Sequence, residues 1–205
     1  MRETAKNRVF HKISTKGKGW VFSAVDFLPD LKRWEIDRSL TDLAKEGKIS
    51  RVLPGLYYYP EYSQMLKKNV APDIQRVATA LARKYDWKIF PEGNTALNYL
   101  ALSTQVPASY VYISSGSPRK YKIGNMPLEF RHRVPKESTI TNEKANLVIQ
   151  ALKSLGRTHA SEPDFIKLLS RRFSYAEWVK IENASKKVAY WILEIITKAK
   201  EIANG

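Results

Sequence analysis

The side chains with the clearest chemistry lie between residues 16 and 51, where Lys, Arg and Thr recur at helical and strand spacing. Arginine can donate two hydrogen bonds to a guanine, and threonine can contact a base edge or a thymine methyl group. Lysine and arginine also bind phosphates, which positions a protein on a duplex without reading its sequence. The candidate DNA-binding residues are therefore Lys16, Lys18, Lys32, Arg33, Arg38, Thr41, Lys45 and Arg51.

A second group of cations surrounds a predicted hairpin in the middle of the chain, interleaved with Tyr121 and Phe130. This group could bind nucleic acid or an acidic protein surface. It could equally be the solvated face of a hairpin. Its residues are Arg119, Lys120, Lys122, Arg131 and Arg133.

Signals for catalysis are weak. His11, His132 and His159 are scattered, and none has the spacing of a metal-ligand motif such as HExxH. The phosphate-binding patterns GxxxxGK[ST] and GxGxxG are absent, and segment 114–117 lacks the GxSxG pattern of a nucleophile turn. We therefore predict a non-enzymatic protein with no catalytic residue, metal or cofactor.

The alternative to a non-enzymatic protein is a nucleic-acid-processing enzyme with a catalytic C-terminal domain. Such an enzyme would need carboxylates, and Glu92, Asp164 and Glu177 are the candidates. Their spacing forms no recognisable metal site.

Three helices and a hairpin must position the N-terminal cations. Apolar spacing predicts a first helix over residues 4–13, and Ser23 with Asp26 three residues later predicts the start of a short second helix. A third helix is predicted over residues 31–46, because apolar residues recur there at i, i+4 and i+7. These residues are Ile36, Leu40 and Leu43.

Gly47 ends the third helix, and predicted strands at 48–52 and 56–59 flank the turn Leu53-Pro54-Gly55. Helix, short helix, helix and hairpin in this order are typical of a winged helix-turn-helix. With its apolar residues in the core, the third helix would turn its cations outward. A charged helix face is often merely solvated, but this order of elements in a basic chain favours DNA binding.

Aromatic residues in this region are expected to pack rather than to bind bases. Strand alternation puts Tyr57 and Tyr59 on one face and Tyr58 on the other, so packing explains at least one face without a ligand. For Trp34 the core is the commoner position, and base contact is the sharper alternative.

The polar and basic segment 61–72 separates two predicted domains, a winged helix-turn-helix over 1–66 and an α+β effector domain over 70–205. The second domain begins with mixed helices and strands and ends in helices that we expect to form a bundle. The predicted fold class is therefore α+β: an N-terminal winged helix-turn-helix, then a mixed α/β domain ending in a helical bundle.

Charge supports a nucleic-acid partner. The 205 residues include 35 Lys or Arg and 20 Asp or Glu, so the formal net charge is +15 and the isoelectric point is near 9.9. Such a balance is typical of proteins that neutralise phosphates. The absence of cysteine excludes disulfides. With no apolar run of about 18 residues, we expect a cytoplasmic protein that does not contact a membrane.

Several short motifs, in order, resemble the AbiEi-type antitoxins. Gly19-Trp20-Val21-Phe22 resembles that family's entry motif, and Gly47-Lys48-Ile49-Ser50-Arg51-Val52 resembles the passage from helix to wing. Gly55-Leu56-Tyr57 matches the exit from the wing. Gly93 to Pro107 resembles the element G-x-x-A-L-x-x-x-G-L-[ST]-x-Q, except that Ala101 stands where a glycine is often found.

The resemblance covers about residues 1–135 and implies a type IV toxin-antitoxin antitoxin linked to phage defence. Such a protein represses its own promoter through the winged helix, so its partner is double-stranded DNA. Its C-terminal domain counters a cognate nucleotidyltransferase-like toxin, either without contact or as a module that docks the toxin directly. Carried over by position, the DNA contacts implied are Lys32, Arg33, Arg38, Thr41 and Arg51.

Overall fold

The structure, a computed structural model, describes residues 4–105, 107–132 and 142–205. The chain has an α+β fold that divides into two compact units. The N-terminal unit is Met1–Lys88 with Ile123–Asn125, and the C-terminal unit is Ile89–Lys122 with Met126–Gly205. None of the helices in the described ranges is both long and apolar enough to cross a membrane.

In the part of the N-terminal unit that the structure describes there are three α-helices, a 3-10 helix and five short strands. The helices are α1 (Ala5–Lys16), the 3-10 helix (Ala24–Phe27), α2 (Arg33–Lys45) and α3 (Ile74–Tyr85). The strands are β1 (Val21–Phe22), β2 (Ser50–Leu53), β3 (Leu56–Tyr58), β4 (Tyr62–Ser63) and β5 (Lys68–Asn69).

Local sequence accounts for the ends of these helices. The Thr4 side chain caps α1 by accepting a hydrogen bond from the Asn7 amide. The predicted pairing of Ser23 and Asp26 is confirmed, because the Asp26 carboxylate accepts a hydrogen bond from the Ser23 amide at 2.8 Å. The element that Ser23 begins is one turn of 3-10 helix. After α2, Gly47 adopts a φ of 69°, the left-handed conformation that glycine tolerates best.

The predicted hairpin after α2 is confirmed and belongs to a three-stranded antiparallel sheet of order β1-β3-β2. The sheet and helices enclose a core that includes Val9, Phe22 and Phe27 with the apolar face of α2. Tyr57 and Tyr58 are both buried, and Tyr59 packs against this core. The prediction that packing accounts for at least one face of this strand is confirmed, and the packing extends to both faces.

The segment predicted to separate the two domains contains a small hairpin, which the sequence pattern did not predict. Strands β4 and β5 pair Tyr62 with Asn69 and Ser63 with Lys68. The intervening turn is closed by a hydrogen bond from the Leu66 amide to the Ser63 hydroxyl. Two-residue strands without an Asn-Gly or Asp-Gly turn give little periodicity, so the pattern was not recognisable.

Helix α3 belongs to the N-terminal unit, although the boundary predicted from sequence assigned it to the second domain. It packs against the 3-10 helix and β1. Three of its cations hold it there: Arg83 bonds Asp26 and the Val21 carbonyl, Arg76 bonds the Lys18 carbonyl, and Lys84 bonds the Pro54 carbonyl.

Within the described residues, the C-terminal unit combines a four-stranded sheet with five helices. Its strands, in the order β6-β7-β9-β8, are β6 (Ile89–Pro91), β7 (Tyr110–Ser114), β8 (Arg119–Ile123) and β9 (Met126–His132). Strand β6 is antiparallel to β7, and β7 is parallel to β9. The helices are α4 (Asn94–Tyr99), α5 (Glu143–Ala160), α6 (Pro163–Ser170), α7 (Tyr175–Ala184) and α8 (Tyr190–Asn204).

Helices α4 to α8 surround one apolar core. Trp178 is fully buried in it, and its indole donates a hydrogen bond to the Ser170 carbonyl at 2.9 Å. Gly156 interrupts α5 with a φ of 78°, so the helix has a kink there. After α4 the chain turns at Ala101, whose φ of 48° is a left-handed conformation that a side chain disfavours. A glycine at this position, as in the motif that the sequence resembles, would relieve that strain.

Candidate nucleic-acid interface

Helix α2 has one buried face and one exposed cationic face. Ile36, Leu40 and Leu43 are at most 1% exposed. Opposite them, four exposed residues follow one another at intervals of four, three and four, which places them in one row along the helix. They are Trp34, Arg38, Thr41 and Lys45.

The cations of this row are available to a partner. In the part of the chain that the structure describes, neither Arg38 nor Lys45 forms an ion pair. The Thr41 hydroxyl donates to the Asp37 carbonyl at 2.8 Å, so its remaining lone pair and its methyl group stay exposed. This row therefore presents a guanidinium, an ammonium and a small hydroxyl to solvent, which are groups that can hydrogen-bond a base edge or a phosphate.

Arg33 lies at the side of the row and is held by an acidic neighbour. Its Nε donates to Asp37 Oδ2 at 2.9 Å, one helical turn away. Lys32 is the residue before α2, and its backbone amide donates to the Glu35 carboxylate. Asp37 thus orients an arginine on the exposed side of α2.

A groove of about 300 Å³ separates α2 from the β2–β3 hairpin. Arg33 and Thr41 line it from α2, Arg51 from β2 and Lys84 from α3. The Arg51 guanidinium lies 5.7 Å from the centre of the Tyr57 ring. Lys84 donates to the Pro54 carbonyl at 2.9 Å, which places its ammonium group at the turn of the hairpin.

Lys16 and Lys18 line a different groove, of about 590 Å³, together with Arg76 and Arg83 of α3. The Lys18 ammonium lies 3.5 Å from the centre of the Tyr59 ring, a cation–π contact. The eight candidate residues therefore contribute to more than one surface. Arg33, Thr41 and Arg51 meet in the first groove, Arg38 and Lys45 continue the outer row of α2, and Lys16 and Lys18 belong to the second groove.

The structure adds four residues that are not among the sequence candidates for these surfaces: Trp34, Arg76, Arg83 and Lys84. Trp34 is 61% exposed, so the expectation that it lies in the core is wrong. Arg76, Arg83 and Lys84 were missed because α3 was assigned to the other domain. The signal in the sequence that could have indicated them is the recurrence of basic residues along α3.

The second cationic group is partly neutralised by carboxylates. Arg131 pairs with Glu129 at 3.2 Å and with Glu92 at 3.4 Å, and Lys120 lies 3.8 Å from Glu129. The hydrogen bond from Arg131 lowers the pKa of Glu129. Arg119 and Lys122 lie on β8 at the edge of the sheet, and Arg133 lies outside the described residues.

The three carboxylates of the enzymatic alternative do not form a cluster. Glu92 pairs with Arg131, and Asp164 is exposed in the first turn of α6. Glu177 caps α7 through Ser174, and the Lys144 ammonium beside it contributes most to holding its pKa near 2. Within the described ranges, no group of three His, Asp or Glu residues could hold a metal ion.

A family of unknown function, DUF6088, matches residues 8–172. No curated protein matches the chain. Among solved structures, the crystal structure of the RV2827C protein from Mycobacterium tuberculosis is similar at 11% identity and a TM-score of 0.42. The similarity covers 99% of this chain and 79% of that one.

Proposed function

The chain belongs to the DUF6088 family, whose function is unknown, and we propose that it is a DNA-binding repressor, on the geometry of its N-terminal unit, and an antitoxin, on its resemblance to the AbiEi-type antitoxins. In this proposal the N-terminal unit is a winged helix-turn-helix that binds the protein's own promoter in the cytoplasm. The C-terminal unit counters a nucleotidyltransferase-like toxin of a type IV, AbiE-like operon with a role in phage defence.

The observation that supports DNA binding best is the exposed row on α2 beside a hairpin that carries Arg51. The 3-10 helix and α2 form a helix-turn-helix, and α2 has the place of its recognition helix. In this proposal the β2–β3 hairpin corresponds to the wing. An α-helix fits the major groove of B-DNA, which displays a distinct pattern of donors and acceptors for each base pair.

The side chains of α2 divide into base readers and phosphate contacts. Arg38 is the bidentate guanine reader, since its guanidinium lies on the outermost face of α2 without a carboxylate partner among the described residues. Thr41, one turn further along, contacts a base edge or a thymine methyl. Arg33, held by Asp37, and Arg51 on the hairpin bind phosphates on either side of the groove between them.

The proposed antitoxin role rests on the family resemblance in the C-terminal unit. The motif from Gly93 to Pro107 forms α4 and the turn at Ala101, and α4 packs on α5 and β7. The Arg172 guanidinium donates to the Ala101 carbonyl at 2.7 Å, so the segment that follows α6 is joined to this turn. The motif is thus part of the framework of this unit, on which a toxin-countering surface would depend.

Two experiments test the two parts of the proposal. Binding of the purified protein to its own promoter fragment should exceed binding to a scrambled duplex of the same length. Co-expression with the product of the adjacent toxin gene should restore growth, and a variant lacking the C-terminal unit should fail to restore it. Equal affinity for both duplexes would contradict the repressor part, and growth arrest despite co-expression would contradict the antitoxin part.

A further inference from the structure

The hairpin formed by β4 and β5 exposes an unusual amount of apolar surface. Met65 is 87% exposed and Leu66 is 53% exposed, both at the tip, and Tyr62 and Val70 are also exposed. Four of the ten large exposed hydrophobic residues in the described ranges therefore fall within nine consecutive positions. Single exposed apolar residues are common on proteins, but a contiguous apolar patch indicates a binding surface.

The hairpin is a regular element with paired strands, so its apolar side chains are exposed on a formed structure and not on an irregular linker. Its strands are paired in register, and the Val70 amide donates to the Glu61 carbonyl at 2.7 Å below the last strand pair. The tip is held by the bond from the Leu66 amide to Ser63. A formed hairpin with an exposed tip has the shape of an arm that reaches toward a partner.

The side chains at the tip of the arm, the turn at residues 64–67, favour a binding partner that is a polyanion with an apolar interior. Lys67 and Lys68 directly follow Leu66, and neither has an ion-pair partner among the described residues. Two copies of this tip would bring four ammonium groups together, which disfavours pairing of the arm with itself. The DNA minor groove fits the tip, because apolar side chains can wedge between its base steps while lysines bind the phosphates that border it.

The base of the arm is continuous with a cationic surface. Glu61 and Val70 line a small cavity together with Asp73 and Arg76, and the last two residues also line the groove of Lys16 and Lys18. A sugar-phosphate strand that binds this groove would lead directly to the arm. An extended strand rises about 3.3 Å per residue, so the paired residues 61–63 and 68–70 raise the turn at the tip about 7 Å above the base of the arm, a distance close to the depth of the minor groove.

We propose that this arm is a second DNA-contacting element, which inserts Met65 and Leu66 into the minor groove beside the site contacted by α2. The inference rests on the proposed function in requiring a DNA partner. It assigns Lys16, Lys18 and Arg76 to the phosphate strand leading to the arm. Because a wedge in the minor groove kinks the duplex, the bound promoter should be bent.

The test compares the full-length protein with the double variant Met65→Ser, Leu66→Ser on the promoter fragment. Affinity should fall by at least about tenfold, the order contributed by burying one such side chain, with an unchanged salt dependence. Hydroxyl-radical footprinting should lose one minor-groove patch. The variant Lys67→Ala, Lys68→Ala should instead reduce the salt slope by about 1.8, since each phosphate contact contributes about 0.9.

The matched control is Ile202→Ser, which removes an exposed apolar side chain from α8 and should bind like the wild type. Wild-type affinity of the Met65, Leu66 variant on every duplex would overturn the proposal. The proposal would also be overturned if the Met65, Leu66 variant kept its DNA affinity but changed its oligomeric state or lost contact with the toxin. Either result would mean that the arm binds a protein partner. Equal affinity of the wild type for promoter and scrambled duplex would contradict the proposed repressor function but not the role of the arm. The role of the arm is tested by the ratio of the affinities of variant and wild type, which can be measured on a scrambled duplex as well.

Discussion

Arg83 in α3 donates a hydrogen bond from Nε to Oδ1 of Asp26 in the 3-10 helix at 2.7 Å. The Asp26 side chain is 9% exposed, and its other oxygen accepts a bond from the Ser23 amide. The same guanidinium donates to the Val21 carbonyl at 2.9 Å. One ion pair thus joins α3, β1 and the 3-10 helix that precedes α2, which makes Arg83 a positioning residue for the proposed DNA surface.

The variant Asp26→Ala should lower the free energy of unfolding by about 1.5–3 kcal/mol, because it removes hydrogen bonds to a charged group and leaves buried donors unpaired. Urea unfolding measures this change. The control Lys198→Ala breaks an exposed pair with Glu194 in α8 and should cost less than about 0.5 kcal/mol. A cost for Asp26→Ala as small as that of the control would contradict the role assigned to this pair.

Ala101→Gly should stabilise the protein. Ala101 has a φ of 48°, where an alanine costs about 1–2 kcal/mol and a glycine does not. The greater freedom of glycine in the unfolded chain offsets part of the gain, so we expect a net increase of about 0.5–1 kcal/mol.

Thermal or urea unfolding of Ala101→Gly can be compared with Ala176→Gly, an exposed position inside α7. The second variant should lose about 1 kcal/mol, because glycine is a poor helix residue. Destabilisation in both variants would show that Ala101 is not strained.

Glu177 should make the free energy of unfolding depend on pH in the acidic range. Its pKa is near 2 in the folded protein, held down mainly by the Lys144 ammonium and also by Ser174, against an ordinary value of 4.5. A carboxyl group whose pKa is lowered by folding stabilises the native state above its unfolded pKa. This contribution should be lost as the pH falls from about 4.5 to about 2.

Melting temperatures of the wild type and of Glu177→Gln between pH 6 and pH 2 test this expectation. The two curves should converge at the acidic end. Lys144→Gln should shift the Glu177 titration, followed by NMR, toward the ordinary value. An unchanged titration in that variant would refute the cause that we assign.

Arg51 on the β2–β3 hairpin should act as a phosphate contact. Arg51→Ala is expected to weaken binding to promoter and scrambled duplex by the same factor and to reduce the salt slope by about 0.9. The control Lys167→Ala removes an exposed cation from α6 and should leave the slope unchanged. A selective loss of promoter binding in Arg51→Ala would make this residue a base reader instead.

The elements around α2 could be predicted because their signals are local. The apolar residues of α2 recur at helical spacing, Ser23 and Asp26 lie at capping-box distance, and a turn separates β2 from β3. Pairings between distant residues leave no such pattern. Arg83 and Asp26 are 57 positions apart, so the place of α3 in the N-terminal unit could not be inferred from spacing.

The candidate site was predicted in part. Periodicity placed Arg38, Thr41 and Lys45 on the exposed side of α2, as the structure has them. Trp34 does not lie in the core, where large apolar side chains are usually buried, and the arm of β4 and β5 was missed because its strands are too short to alternate. In the arm, the polar and basic composition of residues 61–72 concealed a short apolar tip.

The central claim is that α2 reads a DNA sequence. The most direct measurement is the ratio of affinities for the promoter and a scrambled duplex, for the wild type and the double variant Arg33→Ala, Arg38→Ala, with Arg171→Ala as an exposed control in the C-terminal unit. We predict a preference of the wild type and the control for the promoter, reduced at least about tenfold in the double variant. Equal binding of the wild type to both duplexes, or a preference that survives the double substitution, would contradict this account.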